Sequence, residues 1–293
     1  MRWAEVSAPA LDLTRTLQSG QAFRWVQGAS GDWVGAIGPV AARLRPAVGG
    51  FFWQTYPTPD RWDVLERYLA LEVDLAELRE RWIRCDARVR PALDRCGGLR
   101  ILRQDPLEAI FGFACACANT VAKVSRSVSS LAARYGRLVA EVDGVRVHEF
   151  PGLAALAEAD EQALRRDLWG FRAPRVPGLA RELAARGPGW MERLGGMDYR
   201  GAHEELVALH GIGPKIADCI CLFGLGHDAA VPLDTHVHRA AVRLVAPDLT
   251  GRALTARVYH EIGERFRAKF GAHSGWLQQA LFWDEMHRSP QSA

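Results

Sequence analysis

The sequence predicts an α+β protein, with a small antiparallel β-sheet domain at the amino end and a larger all-helical region after it. Three observations predict this. Up to residue 104 apolar residues alternate in short runs broken by Gly and Ser, and beyond Asp105 they recur every three to four positions in one segment after another. At 293 residues and 48% hydrophobic content, the chain can also fill the cores of about two domains of roughly 150 residues each.

FRWVQGASGDWVGAIGPVAARLRP (23–46) and FFWQTY (51–56) read as strands joined by turns, with one helix in PDRWDVLERYLALE (59–72). Asp105-Pro106 supplies an N-cap acid and a first-turn proline, and EAIFGFACACANTVAKVSRSVSSLAARYG continues as helix. Further helices are expected at 153–159, 161–169, 176–187, 199–209, 214–225, 235–245, 254–270 and 274–287, most with apolar residues at three-to-four spacing. The expected layout is a sheet domain over 1–104, a helical region over 105–288 and a disordered tail at 289–293.

Composition excludes more than it nominates. A net charge of +3 and a pI near 8.6 are compatible with nucleic acid but name no partner. The amino terminus lacks the apolar stretch of a secretory signal, and the longest apolar run, Ala109 to Ala118, is half of the roughly 20 residues a membrane span needs. The expectation is a cytoplasmic monomer with no membrane contact, nucleoid-associated in a bacterium. Cysteines 85, 96, 115, 117, 219 and 221 form no paired CxxC elements, and residues two apart on a helix diverge by about 200 degrees, so the two CxC pairs cannot share a metal. They read as buried thiols, with no metal site and no cofactor.

The most informative stretch is LHGIGPKIADC (209–219). Gly211 and Gly213 allow a tight turn between two helices, and Pro214 opens the second. Such a helix-hairpin-helix (206–224) presents backbone N–H groups to a phosphate and holds a DNA backbone without reading sequence. Lys215 sits on the first turn of the second helix, where the dipole disfavours an ammonium and would lower its pKa. That placement suits a neutral amine that attacks carbon and forms a Schiff base; an exposed phosphate-contacting lysine is the ordinary alternative. Only Lys123, Lys215 and Lys269 are lysines among 37 basic residues, which makes a lysine here more telling. Asp234, in VPLDTHV, precedes another helix as an N-cap, and an ionised carboxylate there could also stabilise a cationic sugar.

LHGIGPKIADC followed by VPLDTHV resembles the helix-hairpin-helix and downstream aspartate of the DNA glycosylase superfamily that includes endonuclease III. In that superfamily a lysine at the position of Lys215 marks the members that are also lyases. LDLTRTLQSGQAFRW (11–25), DPLEAIFGFACACANTVAKV (105–124), FPGLAALAEADEQALRRDLWGFRAPRV (150–176) and SGWLQQALF (274–282) are similar to the 8-oxoguanine DNA glycosylases, covering nearly the whole chain. The resemblance implies a bifunctional glycosylase and lyase acting on double-stranded DNA that contains 8-oxoguanine, with Lys215 and Asp234 catalytic. It also implies that the Gly20 carbonyl reads the N7 hydrogen that distinguishes the lesion from guanine, that Cys219 and Phe282 sandwich the flipped base, and that Gln278 hydrogen-bonds it. Asn119, Lys123, Phe171 and Arg172 occupy the positions that hold the opposite cytosine, with Ala118 where another asparagine is common, while Gly211, Gly213 and His236 contact phosphates. Lys123 lacks arginine's planar fork and Phe171 lacks a tyrosine's hydroxyl, so weaker discrimination for cytosine is expected. Two rivals stand beside this reading. An alkylpurine glycosylase would use water and would not need Lys215, and a non-catalytic DNA-binding module would need only the hairpin.

Overall fold

The computed structural model describes residues 1–6, 10–116 and 119–287. Cys117, Ala118 and the tail expected at 289–293 lie outside the described residues, as do the side chains of Cys115, Ala116, Leu168 and His236.

Five strands, β1 (Arg2–Glu5), β2 (Val26–Gln27), β3 (Trp33–Ile37), β4 (Val40–Ala47) and β5 (Gly50–Tyr56), form one antiparallel sheet in the order β1-β5-β4-β3-β2. Two-residue loops set its register: Ile37 pairs with Val40 across Gly38-Pro39, and Ala47 with Gly50 across Val48-Gly49. Gly38 and Gly49 supply the positive φ such loops require, at 54° and 81°. Alternation along the strands then sends Trp33, Leu44, Phe51 and Trp53 to one face, where they pack on Leu13 and Leu17 of α1 (Leu13–Gln18) and Leu65 of α2 (Trp62–Tyr68).

The opposite face, Val34, Ala36 and Ala41, carries Val142 and Val147 of a second hairpin, β6 (Leu138–Val142) and β7 (Val145–His148). The reading of helix after helix beyond Asp105 passes over this hairpin. LVAEVDGVRVH alternates with period two, and Asp143-Gly144, with φ of 51° and 78°, makes the turn. Before residue 104 one helix was expected, at 59–72, and four α-helices are found among the described residues: besides α1 and α2 there are α3 (Leu75–Cys85), capped by Asp74 accepting the Glu77 N–H at 3.0 Å, and α4 (Arg90–Arg95). Their Leu78, Trp82, Ile83 and Leu93 join the large helical core. Among the cysteines read as buried thiols, Cys96, Cys219 and Cys221 are buried, but Cys85 is exposed, because it ends α3 past the packed Trp82 and Ile83.

The helical region runs through α5 (Pro106–Ala116), α6 (Val121–Tyr135), α7 (Leu153–Ala157), α8 (Glu161–Leu164), α9 (Arg175–Ala185), α10 (Trp190–Gly196), α11 (Tyr199–Val207), α12 (Pro214–Phe223), α13 (Thr235–Val245), α14 (Ala256–Phe270) and α15 (Ser274–His287). The expected N-cap Asp105 accepts the Glu108 N–H at 3.0 Å. Every residue of α12 from Ile216 to Phe223 is buried, so it is the central helix against which its neighbours pack.

Gly275 lets α15 approach the loop before α13. A Cβ there would stand 2.4 Å from the Ala230 carbonyl oxygen and 2.5 Å from Leu222 Cδ1, and the Gly275 N–H donates to the Asp228 carbonyl at 2.7 Å. Gly275→Ala should therefore cost about 1–3 kcal/mol through overpacking against backbone that cannot move aside. Urea unfolding measures this, and an unchanged midpoint would contradict the close approach.

Candidate active site

The hairpin is built as its residues require. Gly211 has φ of +80°, Gly213 is the extended N-cap of α12, and Pro214 is its first residue. Both glycines are exposed, while Ile212, 4% exposed, anchors the tip and donates its N–H to the Leu209 carbonyl at 3.1 Å. The backbone at the tip is thus presented outward on a rigid base, the arrangement an anion needs.

Lys215, half-buried on the first turn of α12, lies one turn before Cys219, close enough for its charge to act on that thiol. Burial pushes the Cys219 thiol up, the Lys215 charge opposes that shift, and the Asp234 charge is close enough to add to it. Asp234 opens α13: its Oδ1 accepts the Val237 N–H and its carbonyl the His238 N–H, both at 2.8 Å. Capping holds the carboxylate in place, so the local and the chemical roles expected of it are compatible.

A second group assembles between the loop after α1 and α15. Gly20 adopts φ of +78°, and a Cβ on it would lie 3.2 Å from Val121 Cγ2 and 3.8 Å from Phe282 Cε1. The Gly20 loop therefore faces the Phe282 ring. One turn before that ring, Gln278 is 3% exposed, and its Oε1 is buried with no hydrogen-bond partner among the described residues. An orphaned buried acceptor costs about 1–3 kcal/mol, which a ligand's donor would relieve. α13, which Asp234 opens, packs against α15, which carries Gln278 and Phe282.

Sequence reasoning missed the residues that hold this loop. Gln21, fully buried, donates from Nε2 to Ser19 Oγ and the Arg100 carbonyl, each at 2.8 Å, and accepts the Leu102 N–H at 2.8 Å. Gln279 Nε2 donates to the Ser19 carbonyl at 3.0 Å, tying α15 directly to the residue before Gly20. The available signal for Gln21 was a polar side chain set between the turn glycine Gly20 and the apolar pair Ala22-Phe23.

Asn119 and Lys123 are half-buried at the start of α6, beside the Val121 that touches the Gly20 loop. Arg172 is 6% exposed, its guanidinium carbon 4.2 Å from the centroid of Phe171, which is 69% exposed. The pair is a stacked cation and ring with the ring outermost. The backbone of His236 lies in α13. A cavity of about 810 Å³ opens on the opposite face of α15, by Trp276 and Ala280, and none of the expected site residues lines it.

Residues 4–110 match the family described as 8-oxoguanine DNA glycosylase, N-terminal domain. The chain is 34% identical over 285 residues to the N-glycosylase/DNA lyase of Arabidopsis thaliana, covering 94% of this chain and 78% of that one. The chain belongs to the 8-oxoguanine N-glycosylase/DNA lyase family. Among solved structures, it matches the Clostridium acetobutylicum 8-oxoguanine glycosylase/lyase in complex with double-stranded DNA containing cytosine opposite 8-oxoguanine, at 25% identity and a TM-score of 0.82, covering 97% of both chains. A 3-methyladenine DNA glycosylase from Archaeoglobus fulgidus shares the fold at 22% identity and a TM-score of 0.76, covering 99% of this chain and 100% of that one. The N-glycosylase/DNA lyase fold thus carries more than one base specificity, and the choice of base rests on the site. No helix among the described residues is long and apolar enough to cross a membrane.

Proposed function

We propose that this enzyme excises 8-oxoguanine from double-stranded DNA and then cleaves the strand at the resulting site by lysine chemistry. The observation that carries the reading is Lys215 one helical turn before the buried Cys219, with the charges of both Lys215 and Asp234 acting on that thiol. Lys215 Nζ, its proton removed, attacks C1′ of the flipped nucleotide; the N-glycosidic bond breaks, the departing base takes the electron pair, and Asp234 stabilises the positive charge developing on the sugar. The imine that follows acidifies C2′, whose proton leaves as the 3′ phosphate is eliminated. The Gly20 carbonyl accepts the N7 hydrogen of the lesion, Phe282 and Cys219 hold its two faces, and the orphaned Gln278 oxygen accepts from its pairing edge. Gly211, Gly213 and His236 contact the phosphate backbone. No redox or organic cofactor takes part. The enzyme would work in the compartment that holds the DNA, in a bacterium the cytoplasm.

Borohydride reduction tests this reading directly. On a duplex containing 8-oxoguanine, wild-type protein should be trapped as a covalent adduct, because the imine is reduced to a stable amine. Absence of the adduct would return the reading to a water-using glycosylase or a plain DNA-binding module.

Asn119, Lys123, Phe171 and Arg172 would meet the opposite cytosine, with Arg172 as the one forked donor among them. Arg172→Ala should flatten the preference for cytosine over the other opposite bases by roughly 5–150-fold, corresponding to about 1–3 kcal/mol for one bidentate pair. Single-turnover rates on four duplexes measure it, and an intact preference would remove Arg172 from the cytosine contact.

A further inference from the structure

Lys215 and Asp234 come from different elements, and the helix-capping bond to Val237 joins Asp234 to its own helix. One tie between the two elements runs through buried polar groups. Asp218, 1% exposed and one turn from Lys215, accepts the Tyr199 O–H on Oδ1 at 2.6 Å and the Tyr259 O–H on Oδ2 at 2.5 Å. The Tyr259 oxygen in turn accepts the Leu233 N–H at 3.3 Å, and Leu233 immediately precedes Asp234. Arg267 holds the far side of the network, donating to the Tyr199 oxygen at 3.1 Å and lying over that ring at 4.9 Å. A chain of hydrogen bonds therefore leads from the turn of α12 that carries Lys215, through Asp218 and Tyr259 on α14, to the residue before Asp234. A carboxylate buried this deeply is retained at a desolvation cost, and each of its oxygens has a directed donor.

We propose that Tyr259 is a positioning residue: oriented by Asp218, its hydroxyl fixes the Leu233 backbone and thereby sets the Asp234 carboxylate against Lys215. The inference rests on the roles given above to Lys215 and Asp234. Tyr259→Phe keeps the ring packing and removes only the hydroxyl. Single-turnover excision should then slow by about tenfold, less than the roughly 10²-fold that a 1 Å misplacement can cost, while the Kd for a duplex bearing a stable abasic analogue stays unchanged.

The deciding readout is the same substitution in an Asp234→Asn background. If Tyr259 acts through Asp234, the double variant should be no slower than Asp234→Asn alone, since two residues serving one function are not additive. A further tenfold loss in that background would show a merely structural effect and overturn the proposal, as would a wild-type rate for Tyr259→Phe alone. Excision at the wild-type rate by Asp234→Asn would instead overturn the reading of Asp234 on which the inference rests. Should Tyr259→Phe fail to fold, Asp218→Asn interrupts the same chain one link earlier and is expected to show the same Asp234-dependent loss.

Discussion

Lys215→Gln leaves no borohydride-trapped adduct and slows base excision by more than about 10³-fold, the scale of losing a nucleophile. The amide keeps the length and hydrogen-bonding reach of the side chain but cannot form an imine. Binding of the lesion duplex should survive, because Gly20, Gln278 and Phe282 lie on other elements and do not depend on the amine. The composition sharpens the experiment. Only two other lysines exist, and Lys269 is held by Asp86 at 2.6 Å and by the Leu244 carbonyl at 3.0 Å. Lys123 is therefore the sole lysine competitor. Adduct formation at the wild-type yield in Lys215→Gln would transfer the chemistry to Lys123 or to the amino terminus, and mapping the reduced adduct by mass spectrometry would say which.

Asp234→Asn separates capping from catalysis. Asparagine accepts the Val237 N–H as well as aspartate does, so the melting transition should fall by less than the equivalent of about 1 kcal/mol. The charge is lost, and with it the group that faces the developing positive charge on the sugar; single-turnover excision should fall by about 10²–10³-fold, the usual effect of removing one preorganised electrostatic partner. Affinity for the lesion duplex should hold. An unchanged rate would leave Asp234 as a helix cap and nothing more.

The parts of the site within one helical turn were legible from the chain. Lys215 and Cys219 are four residues apart, as are Gln278 and Phe282, and the helical period places each pair on one face whatever the rest of the molecule does. The caps were equally local: Asp105 before Pro106 and Asp234 before Thr235 each announce a helix start, and both carboxylates accept the expected N–H. The β6–β7 hairpin, by contrast, was passed over although LVAEVDGVRVH alternates, because the helical segments around it dominated the reading and its partner surface, Val34, Ala36 and Ala41, lies about a hundred residues earlier.

By itself the sequence determined the helix-hairpin-helix, the placement of Lys215 on its second helix and the α+β division, all of which follow from turn residues, caps and hydrophobic period acting between near neighbours. The tertiary structure alone decided that the Gly20 loop meets Phe282, that Gln279 reaches back to Ser19 across 260 residues, and that Asp218 and Tyr259 bridge α12 to the Asp234 loop. The reason is physical: periodicity says which face of an element is apolar, but which faces meet, and which buried polar atoms find partners there, is set by how the elements pack around the shared core.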